Sequence, residues 1–269
     1  MQGLVESIEL LKWGILSGIF LAFSIGFTSP FLILRRNALF PHALTHVLFL
    51  AIILLSIIPK EIPTIMEYPF LVGITLISAS GMWFLRKVFG FYEDTATSII
   101  THTALAIALI IATKSSQYDA RLLSYLFGSI IGVTKEDFYE SIIIFFLTLI
   151  FYAKFKSVWI TQITDEEVPG IDFKLANFFF LILVTLQILV GIKLMGILLV
   201  SVLFVFSGSI GLKLFSGVDK VILSVALLNG FAILGGSIFS VTWDFPFSGS
   251  TVIFMLPYLL LPALRSALK

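Results

Sequence analysis

The stretch Leu175–Leu214, LANFFFLILVTLQILVGIKLMGILLVSVLFVFSGSIGLKL, is apolar almost without pause. One bilayer crossing needs ~20 predominantly apolar residues, and this run is twice that length. It lacks strand-type alternation, so its backbone groups must be satisfied within helices rather than in a barrel. The natural break is Gly191-Ile192-Lys193-Leu194-Met195-Gly196, where two glycines and a lysine interrupt the run. A tight hairpin there divides it into two spans.

The rest of the chain has the same character. Of its 269 residues 59% are hydrophobic and 12% charged, and the mean hydropathy is +1.10. A soluble domain of this size cannot hide so much apolar surface, which makes the chain an all-α, polytopic transmembrane helical bundle. Outward from the long run, further spans are expected at residues 13–34, 39–58, 64–85, 95–113, 139–155, 221–241 and 250–264. The total is about nine, or eight if one pair merges, in a single domain over residues 1–269. Pro30 lies inside the first span and predicts a tolerated kink.

Residues 1–12 read as a short amphipathic lead-in at the interface. Glu6, Glu9 and Lys12 precede the first apolar run without a basic leading region, which is not the pattern of a cleavable signal. Residues 122–133, LLSYLFGSIIGV, are apolar but too short to cross, and suggest a re-entrant or interfacial segment. The longest polar connection, residues 156–174, contains Asp165, Glu166 and Glu167. Arg35/Arg36, Arg86/Lys87, Lys154/Lys156, Lys213/Lys220 and Arg265/Lys269 all fall on one side in this count. That bias places the 156–174 loop and the C-terminus in the cytoplasm and the N-terminus outside.

Several chemistries are excluded. The net charge of +1 offers no nucleic-acid footprint. With no cysteine there is neither a disulfide nor a thiolate metal site. The chain has no G-x-x-x-x-G-K-[ST], H-E-x-x-H or G-x-S-x-G motif, and no complete catalytic constellation for a membrane enzyme.

What remains is a pair of histidines. His42 and His46 stand four apart near the start of the second span, where a helix puts both imidazoles on one face. Polar groups are costly in lipid, so such a pair marks function more often than packing. Neutral imidazoles suit zinc, copper, nickel or iron. Two ligands are too few for a structural zinc site, which takes about four, but suit a weak, open transport site. His102 lies between Thr101 and Thr103, either of which is a plain hydrogen-bond partner for it. It becomes a third ligand only where spans 2 and 4 pack together. Asp94 and Asp244 sit near span ends, as solvated carboxylates or N-caps, and are candidates for gating. The acids 165–167 read as a solvated run in a loop where a peripheral partner docks.

The run from Gly26 through Phe31, Arg35-Arg36-Asn37-Ala38-Leu39-Phe40, Ala43-Leu44 and His46 resembles the start of the membrane subunit of bacterial ATP-binding-cassette importers for zinc, manganese and iron. Four more stretches agree in order: Glu93-Asp94-Thr95-Ala96, the segment 124–137 (SYLFGSIIGVTKED), Gly196-Ile197-Leu198-Leu199-Val200-Ser201, and Asp244-Phe245-Pro246-Phe247-Ser248-Gly249. The resemblance implies a homodimeric permease of the bacterial or archaeal plasma membrane, with no tightly bound cofactor. Its partners would be two cytoplasmic ATPase subunits, which bind the ATP, and an extracytoplasmic metal-binding protein. The 156–174 loop would contact the ATPase.

In that family the metal path is associated with an Asp and a His four apart early in the second span. Here His46 falls on the histidine and His42 on the aspartate. Loss of the hard oxygen ligand favours zinc over manganese. Three further departures are Ser129 in place of an acid, Ser207 in place of a helix-ending proline, and a shorter 165–170 segment. Two other functions share the span pattern. One is an ATP-driven permease for a chelated metal or vitamin, with structural histidines. The other is a proton-coupled secondary carrier, with histidines that relay protons.

Overall fold

The computed structural model describes residues 2–57, 64–114, 126–128, 130–164 and 173–267. In chain order the helices are α1 (Gln2–Leu34), α2 (Phe40–Ile57), α3 (Thr64–Phe89), α4 (Glu93–Lys114), α5 (Lys135–Thr161), α6 (Phe173–Leu214), α7 (Val218–Trp243), α8 (Phe247–Met255) and α9 (Leu260–Ala267). Short 3₁₀ turns occupy Ile130–Gly132 and Leu256–Leu259. No strand occurs among the described residues, in agreement with the all-α expectation.

The decisive element is α6. An ideal helix of its 42 residues would be ~63 Å long, about twice the bilayer core. It does not run straight. A methyl group added at Gly191 would lie 2.6 Å from Val200 Cγ2, whereas nine residues of straight helix separate two positions by ~13 Å. The chain therefore doubles back at Gly196, whose φ of 78° and ψ of 164° break the helix. The hairpin lies at the Gly191–Gly196 stretch, as the sequence implies. Among the described residues seven helices are long and apolar enough to cross a bilayer, with Phe40–Ser56 a shorter apolar one. Counting α2 and both arms of α6, the passes come to nine.

Helix α1 is the axis of the tightly packed half. Trp13, Phe20 and Phe27 recur every seventh residue on α1, as do Phe138, Phe145, Tyr152 and Trp159 on α5. Their rings interleave at centroid separations of 5.1 to 6.5 Å, ending with Phe31 against Trp159 at 5.5 Å. The order of the pairs makes α1 and α5 parallel, and the seven-residue period is that of shallow left-handed crossing. The first arm of α6 returns antiparallel to α1, with Gln187 beside Ser24 and Asn177 beside Arg35. The second arm runs parallel to α1, with the Ser29 hydroxyl donating to the Phe204 carbonyl. Helix α7 packs antiparallel to α1, and Asn229 Nδ2 donates to the Ala22 carbonyl at 3.4 Å.

The described part of the segment that is too short to cross meets the hairpin at Gly128; residues 122–125 and 129 lie outside the described residues. Gly128 has φ +73° and faces Gly196 backbone to backbone; a Cβ on either would collide with the main chain of the other. The glycines of the 124–137 and 196–201 motifs are thus one contact. Just beyond, Thr134 and Asp137 form a capping box that starts α5 at Lys135: Thr134 N donates to Asp137 Oδ2 at 2.8 Å, and Asp137 N to Thr134 Oγ1 at 3.4 Å. This cap explains why α5 begins before the expected residue 139. Lys193, near the hairpin tip, pairs with Asp137 and lies 3.7 Å from Glu140 Oε2.

Residues 2–10 form the first turns of α1, ahead of the apolar span that begins at Leu11; no glycine or proline stands between Gly3 and Gly14 to interrupt them. Helix α1 continues through Pro30, which lies inside the span as expected. The second arm of α6 runs past Ser207 to Leu214, since serine keeps the backbone N–H that a proline would remove.

The basic clusters gather at one end. There Arg86 pairs with Glu93 at 3.1 Å, Lys156 with Asp219 at 2.6 Å, and Arg265 Nη1 donates to the Lys213 carbonyl at 3.2 Å. The Gly128–Gly196 contact, Lys135 and Lys193 lie at the other.

Candidate functional site

Helix α2 is placed by the turn that ends α1. Asn37 N donates to Leu32 O at 2.8 Å and Arg36 N to Ile33 O at 3.0 Å, a Schellman arrangement. Its left-handed residue is Arg36, at φ 60°. Phe40 N then donates to Asn37 O at 3.1 Å, and Pro41 enters the first turn of α2, where its missing N–H costs nothing.

Two turns of α2 follow, and they carry the pair. His42 and His46 share one face, as their spacing requires, with ring centroids 4.6 Å apart and planes nearly perpendicular at 87°. His42 is exposed and His46 half-buried. The Nδ1 of His46 is buried without a hydrogen-bond partner. Between them Thr45 is fully buried; its hydroxyl donates to the His42 carbonyl at 2.7 Å and lies 3.3 Å from Ser201 Oγ in the second arm of α6. The face opposite the imidazoles is packed solid: Ala43, Leu44 and Leu48 have no exposed surface. The pair is thus fixed from behind and open in front.

Helices α2 and α4 do pack together, the condition under which His102 joins the pair. His102 lies within electrostatic range of both His42 and His46. Among the described residues, however, no three His, Asp or Glu side chains converge at metal-ligating distance. The partner of His102 is neither flanking threonine. Its Nδ1 lies 2.7 Å from the Ser98 carbonyl and 3.2 Å from Ser98 Oγ, one helical turn back, while Thr101 donates to the Thr97 carbonyl at 2.7 Å. The i, i+4 spacing of Ser98 and His102 is the signal that sequence reading missed. Both residues are exposed.

The other candidates lie apart. Asp94 sits in the first turn of α4, exposed, with Oδ1 accepting from Thr95 N at 2.9 Å. Asp244 is not an N-cap: it is the C-cap of α7, in left-handed conformation at φ 53°, a role its short polar side chain tolerates. Asp165, Glu166, Glu167 and Ser129 lie outside the described residues.

Known proteins match over nearly the whole chain. The model of the ABC 3 transport family matches residues 7–266. The high-affinity zinc uptake system membrane protein ZnuB of Haemophilus influenzae is 27% identical over 250 residues, covering 91% of this chain and 93% of that protein. The manganese transport system membrane protein MntC of Listeria monocytogenes is 24% identical over 276 residues, covering 97% and 94%. Among solved structures, PsaBC from Streptococcus pneumoniae in complex with Fab shares the fold, with a TM-score of 0.84 at 17% identity over 96% of this chain and 93% of that one. A helical bundle with paired imidazoles on its second helix, matched from residue 7 to residue 266, this chain belongs to the ABC 3 transport family of metal-cation permeases.

Proposed function

We propose that the chain is the membrane-spanning subunit of an importer for a divalent transition metal ion, with zinc preferred over manganese and iron. The observation that carries this reading is the pair His42/His46: two imidazoles on one face, one with a buried and unpartnered nitrogen. Relatives named for zinc and for manganese are about equally similar, so the preference rests on donor chemistry. Two nitrogen ligands without a carboxylate beside them suit zinc better than manganese, which favours oxygen.

The working unit is a homodimer in a bacterial plasma membrane. Two cytoplasmic ATP-binding-cassette subunits hydrolyse ATP, and an extracytoplasmic binding protein delivers the ion. The basic end of the bundle faces the cytoplasm, and the 156–174 loop passes the ATPase stroke to α5 and α6. In an alternating-access cycle, His42 and His46 take the ion transiently, neutral and with lone pairs free. The dimer copy or His102 completes the set, and its incompleteness in a single chain keeps affinity low enough for release.

Uptake of radiolabelled zinc by the complex reconstituted in vesicles tests the site. The double substitution His42→Ala/His46→Ala abolishes uptake while the thermal unfolding midpoint stays near that of the parent; undiminished uptake removes the pair from the metal path. In a transport-deficient host, zinc-limited growth is rescued better than manganese-limited growth. Equal rescue refutes the ligand argument.

A further inference from the structure

At the basic end of the bundle, between α1, α3 and the first arm of α6, lies a cavity of about 430 Å³. Its lining combines apolar Leu32, Phe40 and Phe180 with polar Arg35, Asn37, Gln162 and Asn177. Arg35 is held in place from two directions. Its guanidinium lies 4.7 Å from the centre of the Phe180 ring, and its Nη1 donates to Asn177 Oδ1 at 3.1 Å. The remaining edge, Nε and Nη2, is buried and has no hydrogen-bond partner. Those two nitrogens form the side-on fork with which arginine grips the paired oxygens of an oxyanion. Among the described residues no carboxylate lies within ion-pair distance of Arg35. Asn37 Oδ1 is likewise buried and unpartnered, and a half-turn of that amide offers the same space an N–H₂ donor.

We propose that this cavity is a binding site for a phosphate-type oxyanion gripped by the Nε/Nη2 edge of Arg35, the phosphate being carried by a phospholipid headgroup of the inner leaflet. Arg35 follows directly on the last residue of α1, at the level where a membrane helix meets headgroups. The apolar part of the lining suits the glycerol and first acyl carbons of a lipid. The basic clusters around this end attract anionic lipid. Burial pulls the Arg35 guanidinium down from its ordinary value to about 10, which leaves it charged at neutral pH with nothing in contact to neutralise it. This site is separate from the histidine pair and does not depend on the metal reading.

The test uses the full chain, delipidated in a neutral detergent and titrated with phosphatidylglycerol, with bound lipid counted by native mass spectrometry. One phosphatidylglycerol per chain is expected to remain bound. Arg35→Gln weakens retention at least tenfold, Arg35→Lys recovers only part of it, and Arg36→Gln stays within twofold of the parent. Because Arg35→Gln also removes the contacts to Phe180 and Asn177, Ala79→Phe provides a second probe: it fills the cavity, leaves the arginine in place and also abolishes retention. An excess of inorganic phosphate distinguishes the sources. Displacement of the lipid shows that the oxyanion alone is recognised, and lipid that resists phosphate shows that its acyl anchor contributes. Equal retention by Arg35→Gln and the parent overturns the proposal. So does a chain that binds neither phosphatidylglycerol nor phosphate, which would leave the arginine edge for a carboxylate of a partner protein.

Discussion

Two buried polar groups, one in each half of the bundle, are bonded in opposite ways. In the half built on α1, α5, α6 and α7, Gln187 sits at 0% exposure. Its Nε2 donates to Ser24 Oγ at 2.8 Å, to the Ser24 carbonyl at 3.1 Å and to Thr148 Oγ1 at 3.2 Å, and its Oε1 accepts from Thr28 at 2.8 Å. Ser24 and Thr148 are 2.6 Å apart. Every polar atom of this amide is occupied. In the half built on α2, α3 and α4, the His46 nitrogen is buried with no partner and His102 faces outward. Packing follows the same division: 72% of the most apolar window of α6 is buried, against 17% for that of α3. A closed network fastens helices, while an open one waits for a ligand or a second copy of the chain.

The contrast is broken most severely at the hairpin. Gly196→Ala puts a side chain on a backbone conformation essentially reserved for glycine and drives it into Gly128. A loss of about 4 kcal/mol is expected, read as failure to accumulate in the membrane or as a large fall in unfolding midpoint. Next comes the closed network. Gln187→Leu leaves Ser24 and Thr148 bonded to each other, so the loss is roughly 1–2 kcal/mol in a detergent unfolding titration, with zinc selectivity unchanged. A change of metal preference in that variant would erase the distinction between fastening and ligand-binding clusters. The smallest effect lies at the turn before α2. Arg36→Gly relieves a left-handed residue and gains about 0.5 kcal/mol, with uptake unaltered. A loss of stability there would mean that the Arg36 side chain, not its backbone, sets the turn.

Much of this architecture is legible in the sequence, because span length and glycine placement are local properties. The run 175–214 gives both the doubled span and its break, and the spacing of His42 and His46 fixes their common face. The capping box at Thr134 and Asp137 is also written locally, though a hydropathy reading starts that helix four residues late. Pairings between distant segments are less accessible. The seven-residue aromatic periods on α1 and α5 can be seen separately, but nothing local says that the two helices are parallel neighbours. The same holds for Gly128 and Gly196, whose motifs read as unrelated until the backbones meet. At the site, the histidine pair is found from spacing alone. Ser98 is overlooked in favour of the adjacent threonines because neighbours in sequence point away from one another on a helix.

The meeting of Gly128 and Gly196 also has a consequence for the order in which the molecule is made. Gly128 leaves the ribosome well before the hairpin against which it rests. Until Gly196 is synthesised and its two arms inserted, Ile130 can rest on Gly14 of α1, but Gly128 has no backbone to meet. The first five helices can therefore be threaded before one side of the molecule closes, and that closure falls late, when the seventh pass comes into place.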